Sequence, residues 1–231
     1  MNRPLVVITG AAGGLGRVVA QTFADHARLV LLDISEAALV KAFGPQREGL
    51  HLIAVDLTNA GAVQDALQPV FDREGPAAVL CNLAGGFDMG PAVHETADQA
   101  WRQLLDLNVA TLINACRSVV PGMLAAGTGK VINVAAAGAV SGAAHKGAYC
   151  ASKSAVARLT ESMALELRGQ GINVNAIAPS IIDTPANRAA MPDADPGDWV
   201  SPQNLADIIQ FLASPQASAV HGAVIPVVGL S

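Results

Sequence analysis

Aromatic side chains are scarce, with one tyrosine, two tryptophans and five phenylalanines among 231 residues. Abundant glycine and alanine accompany a 52% hydrophobic content, a composition that suits close-packed α/β structure with buried strands more than a long helical array. Cysteine is equally sparse. Cys81, Cys116 and Cys150 are odd in number and widely spaced, which fits buried thiols in a reducing compartment better than a disulfide framework. Positive charge is short as well: 14 Lys and Arg face 19 Asp and Glu, for a net charge of −5, so no basic footprint marks a nucleic-acid partner. The five histidines are isolated and no pair has ligand spacing, so no metal is expected. No apolar run reaches the roughly 18 to 20 residues of a membrane span, and "MNRPLVVITG" enters a strand with no cleavage signal. The expectation is a soluble, cytoplasmic protein with no membrane partner.

What the chain does have is repetition of short β-branched and Leu-rich runs: "PLVVIT", "RLVLLD", "LHLIAVD", "AAVLCN", "GKVINV", "INVNAI" and "GAVIPVV". Each reads as a buried strand. Helical spacing fills the gaps, as in Leu15–His26, Ala97–Leu124 and Tyr149–Leu167. Strand and helix alternate throughout, which predicts one α/β domain over residues 1–231 with a parallel sheet covered on both faces. The only long irregular stretch is "DTPANRAAMPDADPGDW", residues 183–199. Loops of that length are uncommon unless functional, and this one leaves the carboxyl end of the sixth strand, where open α/β sheets bind ligands. It is a candidate substrate lid.

"VVITGAAGGLGRVVA" places Gly10, Gly14 and Gly16 on the turn between the first strand and the first helix. Positive φ and close approach of the backbone to a pyrophosphate leave no room there for a Cβ, while the helix start supplies N–H donors. The strand–turn–helix context makes this a dinucleotide site. Asp33, ending the second strand, can accept hydrogen bonds from both ribose hydroxyls and would repel a 2′-phosphate. The glycine turn carries no Lys or Arg, so NADH is favoured over NADPH despite Arg17 and Arg28 nearby. Asp56, ending the third strand, either recognises the adenine amino group or caps the next helix.

These features occur in order with "NLAG", "LNV" at Leu107–Val109, "AYCASK" and "APSIIDT", and the whole chain thereby resembles the short-chain dehydrogenase/reductase family. The resemblance implies a doubly wound Rossmann-type domain with a seven-stranded, mostly parallel sheet, a nicotinamide cofactor, a small-molecule substrate and a homodimer or homotetramer. It implies that Tyr149 is the acid, Lys153 its activator, and that Asn108 holds the water joining Lys153 to solvent. It also implies cofactor contacts from Leu15, Leu57, Asn82, Ala84 and Gly85, and from Pro179 through Ile182 to Thr184. Elementary chemistry agrees with the acid assignment, because an ammonium beside a phenol of ordinary pKa ~10 favours the phenolate.

One family position departs. The serine that binds the substrate oxygen usually stands thirteen residues before the tyrosine, and Ala136 is there instead. Losing such a donor typically costs about 3 to 4 kcal/mol of transition-state stabilisation. Ser141 or a water could replace it in a carbonyl or alcohol oxidoreductase of the ketone or 3-hydroxyacyl type. Alternatively the acceptor does not need it. The dihydropteridine reductase branch of the family also lacks the serine, and residues 183–199, Phe87 at the place of a pterin-stacking aromatic, and Trp101 give a local likeness to it. A quinonoid dihydropterin is already electron-poor and spreads its charge, so that acceptor is the most specific substrate expectation. A non-catalytic NAD-binding regulatory protein is the rival of another class, and the intact Tyr149–Lys153 pair argues against it.

Overall fold

A computed structural model describes residues 3–231. Seven strands, β1 (Leu5–Thr9), β2 (Arg28–Asp33), β3 (Leu50–Ala54), β4 (Val79–Asn82), β5 (Gly129–Val134), β6 (Ile172–Pro179) and β7 (Val224–Val227), form one sheet in the order β3-β2-β1-β4-β5-β6-β7. Every neighbouring pair is parallel. Alternation along β1 shows why the runs are apolar on both sides. Leu5 and Val7 enter one core, Val6 and Ile8 the other, and all four are buried. Each such aliphatic side chain contributes about 1.5 to 3 kcal/mol by leaving water.

Among the described residues eight α-helices accompany the sheet: α1 (Gly14–Phe23), α2 (Glu36–Phe43), α3 (Ala60–Glu74), α4 (Asp98–Leu105), α5 (Thr111–Ala126), α6 (Gly147–Leu167), α7 (Pro185–Ala190) and α8 (Pro202–Ala213). Val19 of α1, Leu39 of α2 and Leu205 of α8 pack on one face; Leu67 of α3, Val119 of α5 and Val156 of α6 pack on the other. The chain reverses its strand order between β1 and β4, and the crevice beyond their carboxyl ends is where such sheets bind ligands.

Three expectations need correction. Asp98–Ala126 is one continuous helical rod with a π turn at Asp106–Ala110, long and apolar enough to cross a membrane by length and composition. Its apolar side, Leu112, Ala115, Val119 and Met123, lies instead in the protein core. Residues 183–199 are not wholly irregular, because Thr184 accepts a hydrogen bond from Asn187 N–H and Pro185 follows at the first helical position, which starts α7. Asp56 does not cap α3. Asn59 does, accepting from Ala62 N–H, while Asp56 accepts from the N–H and hydroxyl of Thr58.

Candidate active site

The glycine turn closes the crevice from one side. Gly10 has φ of +63°, and a Cβ there would stand 2.9 Å from the Ala84 backbone. Thr9 stitches the same point, its hydroxyl accepting from the N–H groups of Leu83 and Ala84 at 3.0 and 3.1 Å. Sequence reasoning missed Thr9, whose signal is a hydroxyl at the last position of a buried strand. A Cβ on Gly14 would fall 2.8 Å from Thr184 Cγ2, so the turn and the segment after β6 face each other across the crevice. No side chain caps α1, which leaves its first N–H groups open to an anion. These features fit a dinucleotide pyrophosphate.

The carboxylate of Asp33 accepts from Ala12 N–H at 3.0 Å, which fixes its position beside the turn. Of the two arginines near it in sequence, Arg17 donates to Ala12 O, and Arg28 pairs with Glu74 Oε2 at 2.6 Å on a different part of the surface. Leu57 lies in the core, so only its backbone is available to a ligand. Asn82 turns its amide into the sheet, donating to Asn133 Oδ1 at 2.9 Å. Ile182 pairs with Val200 and closes the base of residues 183–199, and Leu230 N–H holds Asp198 O at 3.0 Å.

Beyond Gly85 the polar groups converge. A Cβ there would come 2.6 Å from Asn108 Oδ1 and 3.2 Å from Lys153 Nζ, so only glycine lets these two groups approach the strand end together. Asn108 sits in the π turn, where Thr111 N–H bonds Asp106 O five residues back. Its side chain is fully engaged, accepting from Gly86 N–H and donating to Gly86 O and Ser152 Oγ. Ser152 in turn donates to Tyr149 O at 2.8 Å, tying the π turn to α6; this second tie was also missed.

Tyr149 and Lys153 lie one turn apart on α6. Tyr149 packs on Ala136, Ala139 and Cys150, and its ring meets Phe87 edge-on, with centroids 4.8 Å apart and planes at 79°. Thus Ala136 and Phe87 flank the tyrosine, whereas Ser141 is exposed and has no hydrogen bond among the described residues. Trp101 is half-buried and approaches Gly147 at the start of α6.

Burial reverses one electrostatic expectation. Desolvation pushes the Tyr149 phenol up to about 12, with Cys150 adding to it, and pulls Lys153 down to about 8. The Lys153 ammonium spends a hydrogen bond on Val134 O at 2.9 Å. The phenol is therefore held neutral, as a proton donor must be, and the lysine sits close to losing its charge at neutral pH.

Lys153 consequently opposes folding while it is charged. Between its folded value near 8 and its unfolded value near 10.5 the unfolded chain binds more protons, so this contribution to stability rises with pH across that window. Lys153→Met should stabilise the fold at pH 7 by about 1 to 3 kcal/mol, after loss of the Val134 hydrogen bond, and the advantage should shrink above pH 8. Denaturant unfolding of both proteins at pH 7 and pH 10 checks the size and the sign.

Comparison with known proteins gives the family. The family model described as short chain dehydrogenase matches residues 4–195. Galactitol 2-dehydrogenase (L-tagatose-forming) of Cereibacter sphaeroides is 35% identical over 241 residues, covering 96% of this chain and 92% of that protein. An NAD+-bound xylitol dehydrogenase superposes with a TM-score of 0.88 at 25% identity, covering 98% of each chain. A variant of actinorhodin polyketide ketoreductase solved with NADPH gives a TM-score of 0.89 at 28% identity, covering 98% of this chain and 96% of that one. None of these three is a dihydropteridine reductase, and the local likeness to that branch gains no support from them.

Proposed function

Because the chain belongs to the short-chain dehydrogenase/reductase family, we propose that it is an NAD-linked oxidoreductase interconverting an alcohol and a ketone. The observation that carries this reading is the convergence of Lys153 and Asn108 on Gly85 at the end of the switch-point crevice, with Tyr149 one turn before Lys153 on α6. A bound nicotinamide supplies or accepts the hydride. Tyr149 gives its phenolic proton to the carbonyl oxygen as charge develops there, and takes it back in the oxidative direction. Lys153 steadies the phenolate left behind, and the Asn108 turn keeps Lys153 in register with the tyrosine. Gly10, Gly14 and Gly16 would admit the pyrophosphate, Asp33 the adenosine ribose, and the backbone from Pro179 to Thr184 the nicotinamide side. Burial of the three free cysteines is consistent with a cytoplasmic protein, and a homo-oligomer belongs to the same reading.

The NAD preference rests on Asp33. Its carboxylate is fixed beside the turn, while Arg17 is tied to Ala12 O and Arg28 to Glu74. Calorimetry should give NADH at least about tenfold tighter binding than NADPH, some 1.4 kcal/mol. Equal affinities would remove Asp33 from the argument.

A second reading, reduction of a quinonoid dihydropterin, is favoured by Ala136 in place of a hydroxyl donor and by Phe87 against Tyr149. The known relatives above act, by their names, on alcohols and ketones, and that reading stands first. An NADH-oxidation screen over simple ketones, polyhydroxy ketones and quinonoid dihydropterin separates the two. Tight NADH binding with turnover of none of them would leave the non-catalytic alternative.

A further inference from the structure

The apolar surroundings of Tyr149 come from four side chains. Ala136, Ala139 and Cys150 pack on one side of it and Phe87 on the other. Phe87 is one of several large apolar side chains on this part of the chain that the fold leaves in water. Phe87 is 58% exposed, Met89 53%, Val93 60% and Val140 83%. They lie on two loops, residues 83–97 and 135–146, and those loops are fastened to each other and to α6. Gly90 N–H donates to His145 O at 2.9 Å, and His145 takes a left-handed φ of +64°, rare outside glycine, to present that carbonyl. Val93 packs at Gly147, two residues before Tyr149, where a Cβ would come 2.7 Å from its Cγ2. Ser154 Oγ donates to Ala139 O at 2.7 Å from the helix side. Lys146 Nζ lies 5.5 Å from the Phe87 ring centroid, close enough to be attracted by the ring.

We propose that the substrate bears a flat, apolar substituent, aryl in the simplest case, which packs on Phe87 while its reacting oxygen meets Tyr149. The inference rests on the alcohol–ketone reading above and narrows it away from the polyols that some relatives' names specify. Hydroxyl groups packed on Ala136, Ala139 and Phe87 find no partner on those side chains, whereas an aryl group gains an aromatic contact on a wall held in place by the His145 latch.

Two measurements test it. In reduction with NADH, kcat/KM for acetophenone should exceed that for dihydroxyacetone by about tenfold or more, and Phe87→Ala should lower the acetophenone value about tenfold further than the dihydroxyacetone value. Dihydroxyacetone preferred by the unaltered protein, or equal losses on both substrates, would overturn the proposal. Calorimetry of 1-phenylethanol with the NADH-loaded protein reads the wall without turnover. Binding weakened at least about fivefold by Phe87→Ala supports the wall even if no ketone is reduced, in which case the oxidoreductase reading alone fails. No binding of 1-phenylethanol, or binding indifferent to Phe87→Ala, overturns the wall whatever the turnover.

Discussion

Tyr149→Phe is expected to reduce ketone turnover by about 100- to 10,000-fold, the range over which a positioned general acid contributes, while NADH binding persists. The change removes one oxygen and keeps the ring that meets Phe87 at 4.8 Å and packs on Ala136, Ala139 and Cys150. Packing should therefore survive, and a lost rate can be assigned to the lost proton. Burial keeps the phenol neutral, pushed up to about 12, so at neutral pH the donor is always loaded. Tyr149 is the only tyrosine in the chain, which allows a direct check. Its ionisation should be visible alone in an ultraviolet pH titration of the folded protein, above the usual tyrosine range, and absent from the phenylalanine variant. Near-normal turnover by Tyr149→Phe would mean that another group supplies the proton.

Ala136→Ser carries the second large effect, and its direction is the informative part. Ala136 is buried against Tyr149, so a hydroxyl there adds a single polar atom beside the group that meets the substrate oxygen. One oxyanion donor is worth about 100- to 1,000-fold in rate, and on the alcohol–ketone reading kcat for acetophenone should rise by up to that factor. On the dihydropterin reading the acceptor spreads its charge, and turnover of the pterin should stay level or fall. Stopped-flow rates on both substrates, for both proteins, decide between them. No change on either would place residue 136 away from the reacting oxygen.

The fold was legible because its signals are local and repeated. Seven buried runs alternate with helical segments, and a sheet buried on both faces needs apolar residues at consecutive positions, as Leu5 to Ile8 show. The glycine turn and the Tyr149–Lys153 spacing were equally local. What escaped depends on distance in the chain or on burial. The pairing of Arg28 with Glu74 joins residues 46 apart. The Thr9 hydroxyl serves N–H groups on another strand's end, more than 70 residues on. The π turn at Asn108 inserts one residue and shifts the helical phase, which periodicity alone does not register. Prolines in residues 183–199 suggested loop throughout, although Thr184 followed by Pro185 is a helix start. Finally, a sequence places a lysine near a tyrosine but does not say how dry the site is, and here burial raises the phenol while the lysine bonds Val134 O.

On the proposed function, hydride passes to a carbonyl carbon and Tyr149 completes the alcohol. That step is tested most directly by reducing acetophenone with NADH deuterated on one or the other face of nicotinamide C4, and examining the alcohol by mass spectrometry. One deuterium is expected at the carbinol carbon from one labelled face and none from the other, with product nearly abolished by Tyr149→Phe. An unlabelled alcohol from both faces, or full labelling undiminished by Tyr149→Phe, would contradict it.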